Sequence, residues 1–248
     1  MDKKTTPRTK RINHTETTNG TQECKNKRQA LAQVRKLLIE KKINFRTDNQ
    51  GKLNELIDTH DITIISGPAG SGKTYVTVYN ALQTIASKDN RIDGIVIVKP
   101  LVEAANEKLG FLPGGIEEKT DPFMMSYWHN MEKIIGKERL DVLIAADVIK
   151  VVPLAYMRGL TFENRVVILD EAQNALPSQV KMFLTRIGEG SKYIISGDIE
   201  QSDRHEKGNG LEDAIDRLTD MNDVAIHAFT YEDIVRHKLI SEILQRYP

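Results

Sequence analysis

Gly67-Pro68-Ala69-Gly70-Ser71-Gly72-Lys73-Thr74 decides the reading of this chain. An apolar, β-branched run, Ile62–Ile65, enters it and a helical pattern leaves it, which is the setting in which GxxxxGK[ST] forms a phosphate loop. Each residue type has a physical reason. Glycines let backbone N–H groups approach phosphate oxygens with no Cβ in the way. The helix that follows adds the positive end of its dipole. Lys73 offers a point charge to the β- and γ-phosphates, and the Thr74 hydroxyl is a ligand for Mg²⁺.

Working outward, the chain alternates short apolar runs with longer helical patterns. Ile62–Ser66, Ile95–Val98, Lys150–Val152, Val166–Leu169, Tyr193–Ser196 and Val224–Ala228 read as strands. Several lack polar alternation, as expected when both faces of a parallel sheet are covered. Helical spacing predicts helices over 28–41, Lys73–Ser87, Asp121–Ile135, Ser178–Ile187, Gly210–Leu218 and Glu232–Arg246. The alternation points to an α/β fold with a doubly wound, mainly parallel sheet.

Two further strand ends carry polar residues. Val166–Leu169 runs into Asp170-Glu171-Ala172-Gln173, placing two acids at the carboxyl edge, where open α/β sheets bind ligands. Asp170 is the expected Mg²⁺ partner, and Glu171 the group that orients and deprotonates an attacking water. Tyr193–Ser196 runs into Gly197-Asp198-Ile199-Glu200-Gln201, where the Gln201 amide can report a γ-phosphate. Gln50 is a weaker candidate for an adenine edge, and Lys99-Pro100 follows the second strand towards the same sheet edge. His129, beside Trp128, reads as a packed helix residue.

Composition sets the bounds. Of 248 residues, 40% are hydrophobic and 28% charged, an ordinary globular balance. No run approaches the roughly 18 apolar residues of a membrane span, and Met1-Asp2-Lys3-Lys4 opens no apolar signal segment. The sequence therefore reads as cytoplasmic. Cys24, the one cysteine, excludes an internal disulfide framework. Zero net charge hides an asymmetry: residues 1–46 hold 13 Lys/Arg against 4 Asp/Glu, a net of +9 that the rest of the chain balances. Residues 1–26 read as a disordered basic tail, 27–46 as a helical appendage and 47–248 as the nucleotide-binding domain. Such an arm is suited to nucleic-acid phosphates or is a solvated tail, and no aromatic residue interleaves its first forty positions.

The chain resembles the PhoH family of phosphate-loop ATPases over roughly residues 46–246. The matching stretches are Gly67–Tyr75, Glu107–Gly114, Val152–Gly159, Val167–Asn174, Lys181–Gly188, Gly197-Asp198 with Gln201 and Asp203, and Asp233–His237. The resemblance implies a core like the motor domain of superfamily-one helicases, a nucleotide site extending to Tyr75, and ATP and Mg²⁺ as cofactors. It further implies RNA or single-stranded DNA as partner, with hydrolysis coupled to translocation or unwinding. Stand-alone members are carried by bacteriophages, for which the location is the host cytoplasm. An alternative of another class is a nucleotide-gated oligomeric switch without motor activity. Departures from the family pattern, at Lys99-Pro100, Ala105-Asn106, Ile199 and Arg204-His205, fall along the expected substrate face.

Phosphoryl transfer commonly uses an arginine against the developing charge. It can come from the same chain or, where a two-domain helicase would use its second motor domain, from a neighbouring subunit. The candidates are Arg186 and Arg236, and the expected assembly is a head-to-tail homo-oligomeric ring, a hexamer by similarity to related ATPases.

Overall fold

All six strand runs form in a computed structural model that describes residues 16–40, 43–87, 91–100, 116–201, 208–235 and 246. They are β1 (Ile62–Ser66), β2 (Gly94–Lys99), β3 (Ile149–Pro153), β4 (Arg165–Leu169), β5 (Lys192–Gly197) and β6 (Val224–Ala228). Every pairing is parallel, in the order β3-β2-β4-β5-β1-β6. The helices are α1 (Glu16–Glu40), α2 (Asp48–Thr59), α3 (Lys73–Ala86), α4 (Ile116–Ile135), α5 (Lys137–Ala145), α6 (Pro177–Leu184) and α7 (Gly210–Leu218).

The strand order explains the layers. From β1 the chain steps to β2 and β3 in one direction, then returns through β4, β5 and β6 in the other. Right-handed crossovers running in opposite directions put their helices on opposite faces. Residues of α1–α5 pack with Ile65, Ile97, Ile168 and Ile194 on one face. Residues of α6 and α7 pack with Ile64, Val98, Leu169 and Ile195 on the other. Successive residues of one strand thus enter different cores, which is why the strand runs lack polar alternation.

Five expectations need correction. The N-terminal helix begins at Glu16, inside the stretch read as disordered. Ala30, Leu31, Val34 and Leu38 bury one stripe of it, and adding upstream turns to an anchored helix is far easier than starting one. Arg35 of α1 also donates to Ala86 O and, at 3.0 Å, to Ser87 O, satisfying carbonyls at the end of α3. Residues 1–15 lie outside the described residues. Second, α2 occupies a stretch for which no element was expected; Thr47 caps it, its Oγ1 accepting from Gln50 N at 3.2 Å. Third, α5 was likewise not anticipated, and Leu140 and Leu143 anchor it. Fourth, Tyr231–Asp233 forms a single 3₁₀ turn and Ile234 is extended, so no helix starts at Glu232; 236–245 lie outside the described residues. Fifth, His129 is exposed rather than packed.

Candidate nucleotide site

The position of β5 builds the site. It lies between β1, which delivers the phosphate loop, and β4, which delivers the acids. Register places Ser66 beside Gly197 and Leu169 beside Ile195, so the three polar strand ends emerge side by side. Two inter-strand spacings separate the loop from the acidic end, about 10 Å, a span suited to a chain of phosphates and a cation.

On the loop side, Gly72 sits at φ 93° as the N-cap of α3, a conformation L side chains rarely adopt. A Cβ there would lie 2.5 Å from Gln50 Nε2. Gln50 is buried and clamps the loop: its Nε2 donates to Ser71 O at 2.9 Å, and its Oε1 accepts from Arg46 N at 2.9 Å. The sequence reading gave this amide an adenine edge; the structure places it on backbone. Ser71 Oγ donates to Pro68 O at 3.0 Å, and Val235 N donates to Gly70 O at 3.1 Å. The Lys73 ammonium donates to Gly67 O and, at 2.9 Å, to Pro68 O, which holds it over the loop.

On the acid side, Asp170 is buried and forms an ion pair with Lys99, at the end of β2, at 3.1 Å. Burial pushes its carboxyl above the usual range, with the Lys99 ammonium opposing that shift and Glu171 adding to it. The ring of buried Tyr127, from α4, lies 5.6 Å from the same ammonium. Burial, with Asp170 and Glu171 nearby, pushes the Tyr127 phenol well above its ordinary value. Glu171 is exposed and adopts left-handed φ 54°, ψ 41°, a backbone cost of about 1–3 kcal/mol for a non-glycine residue. Gln173 Nε2 donates to Glu171 Oε2 at 2.7 Å. Just after β5, burial raises the Asp198 carboxyl, opposed by the Glu200 backbone N–H and by Lys73.

A cavity of about 510 Å³ joins these groups. It is lined by Ala69, Gly70, Gly72, Lys73, Thr74 and Tyr75, by Asp170 and Glu171, and by Gly197, Asp198 and Gln201. Gly67, Pro68 and Ser71 are not among the lining residues. Thr74 and Asp170 both line this cavity, and a hydroxyl with a carboxylate is a sparse all-oxygen donor set of the kind that fits Mg²⁺, which takes its other ligands from phosphates and water. Ser126, Asn130 and Lys133 of α4 form a further wall that the sequence reading missed. Their spacing puts them on one polar stripe opposite Met124, Tyr127 and Met131, and such a stripe reads as a solvated face because Ser126 and Lys133 stay exposed while lining the cavity.

Arg186 does not line the cavity. Arg186 lies in the turn after α6, where its carbonyl accepts from Phe162 N at 3.1 Å, at the amino edge of the sheet. That is the edge opposite its own chain's Lys73. Arg236 lies outside the described residues.

The sequence pattern of the family described as PhoH-like protein matches residues 42–248. A PhoH-like protein of Mycobacterium tuberculosis (strain H37Rv) is 42% identical over 208 residues, covering 84% of this chain and 58% of the relative. The PhoH-like protein of Bacillus subtilis is 40% identical over 209 residues, covering 84% and 64%. Protein PhoH of Escherichia coli K12 is 38% identical over 205 residues, covering 80% and 57%. The chain thus spans about three-fifths of the length of these relatives. Among the described residues no helix is long and apolar enough to cross a membrane.

Proposed function

This chain belongs to the PhoH-like protein family, and from that premise and the cavity's geometry we propose that it is a Mg²⁺-dependent ATPase. The observation that carries the reading is the convergence of Lys73, Thr74, Asp170, Glu171 and Gln201 on one cavity from three adjacent strand ends. Thr74 and Asp170 would hold the Mg²⁺, which neutralises charge on the β- and γ-phosphates when bound. Lys73 binds the same phosphates as a point charge. Glu171, exposed beside buried Asp170, is the group placed to orient an attacking water and take its proton. A small-molecule kinase has no need of that second acid. Gln201 donates to the terminal phosphate and loses a partner once it leaves.

Coupling to RNA or single-stranded DNA is the fuller form of this reading, with the N-terminal basic residues supplying phosphate contacts. In the same reading the chain works as a head-to-tail homo-oligomer, a hexameric ring, with Arg186 or Arg236 reaching a neighbour's site. The acidic balance of the body, a net of −9 over residues 47–248, favours a second reading: a nucleotide-gated switch that hydrolyses slowly without translocating.

Purified Lys73→Ala and Glu171→Gln should both lose ATP hydrolysis, while Glu171→Gln keeps ATP binding. Undiminished turnover in both would remove the site assignment. Turnover measured with and without defined RNA and DNA at low salt separates motor from switch. A rate unchanged by either polymer selects the switch.

A further inference from the structure

Gln173 is 1% exposed, sits in the short 3₁₀ turn Ala172–Asn174, and spans two strand ends. Its Nε2 donates to Glu171 Oε2 at 2.7 Å, and its Oε1 accepts from Asp198 N at 3.1 Å. The chemistry fixes which way the amide points. A carboxylate can only accept and a backbone N–H can only donate, so the amide nitrogen must face Glu171 and the oxygen must face β5. One side chain therefore ties the acidic end of β4 to the first residue after β5.

Gly197 belongs to the same device. A Cβ there would overlap Gln173 Oε1 and meet Leu211 Cδ2 at 2.9 Å. The glycine leaves the amide the room it needs to reach Asp198 N. Meanwhile Glu171 is exposed on a left-handed backbone, and its three side-chain torsions would carry the carboxylate through many positions without a tether. A charge-assisted hydrogen bond from a buried, doubly anchored amide supplies one.

We propose that Gln173 is a positioning residue that holds the Glu171 carboxylate at the reacting water and links it to the Asp198–Gln201 strand end. The inference rests on the reading that Glu171 activates water for ATP hydrolysis. Gln173 is needed for turnover rather than for nucleotide binding, because its amide is committed to Glu171 Oε2 at one end and to Asp198 N at the other.

Three variants isolate the tether. Gln173→Glu keeps an acceptor for Asp198 N and replaces the donor to Glu171 with a repelling carboxylate. Gln173→Met keeps the bulk and removes both polar ends. Gly197→Ala displaces the amide while altering neither Gln173 nor Glu171. Misplacement of a reacting group by about 1 Å costs roughly 100-fold in rate. In the full chain, kcat should therefore fall about 10- to 100-fold in each variant. For the two Gln173 variants, KM for ATP and the affinity for a fluorescent ATP analogue should stay within about threefold, a change worth less than 1 kcal/mol. In a Glu171→Gln background, adding Gln173→Glu should lower residual turnover no further, because the residue acts through Glu171.

A kcat within threefold of wild type in Gln173→Glu and Gln173→Met would overturn the proposal. So would analogue affinity falling in step with kcat in all three variants, which is the mark of a structural role. Full additivity with Glu171→Gln would do the same. Wild-type protein without turnover would overturn the ATPase reading and this inference together, whereas wild-type turnover with unaffected variants overturns this inference alone.

Discussion

Replacing Lys99 with methionine tests how the buried acid of the site is held. The Lys99 and Asp170 side chains keep 13% and 8% of their exposure and pair at 3.1 Å. Water screens such a pair little, and removing one half leaves the other charge buried without its counterion. The usual cost is about 3–5 kcal/mol, and the residual exposure of Lys99 places this pair near the lower end, about 3 kcal/mol. For a chain of this size that lowers Tm by about 6–12 °C. The pH dependence carries a definite sign. Burial already raises the Asp170 carboxyl in the fold, and losing the opposing ammonium raises it further. A group raised on folding gives stability that is fully present below its unfolded value and is lost as pH rises through its folded value. The deficit of Lys99→Met should therefore be full at neutral pH and shrink as acid protonates Asp170. Urea unfolding monitored by circular dichroism between pH 5 and pH 8 reads this directly. Lys99→Met/Asp170→Asn, with neither charge left, should recover most of the loss. A deficit under about 0.5 kcal/mol at neutral pH, or one that widens on acidification, would refute the reasoning.

Gly72→Ala forces a left-handed alanine whose Cβ meets Gln50 Nε2, so unfolding should become easier by about 1–3 kcal/mol with a large loss of nucleotide affinity; calorimetry and analogue titration check both. Removing residues 1–15 deletes Lys3, Lys4, Arg8, Lys10 and Arg11 yet spares the buried stripe of α1. On single-stranded nucleic acid the slope of log affinity against log salt should flatten by about 0.7 per lost phosphate contact, with basal ATPase unchanged. Mixing an Arg236→Ala or Arg186→Ala chain with a Glu171→Gln chain should restore part of the turnover, since each lacks what the other supplies. A sedimenting monomer whose specific activity is independent of concentration would exclude that exchange.

Much of the fold was legible because its strands are buried on both faces. Val166–Leu169 had to be a continuous apolar run and Ile62–Ile65 a β-branched one, and such a run ended by polar residues marks a strand's carboxyl end from the letters alone. The helix α2 was not legible for the opposite reason. It buries only Gln50, Leu53 and Ile57, and it carries Gly51 in its first turn, so neither period nor propensity rises above background. Its amide then looked free to read a base, when the fold commits it to Ser71 O. Gln173 shows a different limit. Its letter is plain in Asp170-Glu171-Ala172-Gln173, but its second partner is the backbone N–H of Asp198, and no spacing rule records a side chain's bond to a distant backbone group.

What the letters could not supply was the order of strands, and the order decides the electrostatics. Because β5 falls between β1 and β4, two buried carboxylates stand at one edge, each with a lysine from a neighbouring segment opposing the burial shift. Lys99 does this for Asp170, and Lys73 does it for Asp198. The two lysines differ in consequence. Lys99 is held between Asp170 and the Tyr127 ring, so its charge is committed to the acidic end. Lys73 is also the phosphate-binding lysine of the proposed reaction, so a bound phosphate competes with Asp198 for the same charge. On the ATPase reading, Asp198 then feels the arrival and departure of the terminal phosphate through its counterion. Its backbone N–H donates to Gln173, and Gln173 holds Glu171. Charge at the phosphate loop and geometry at the acid thus meet at one residue, a consequence of placing a third strand between the two.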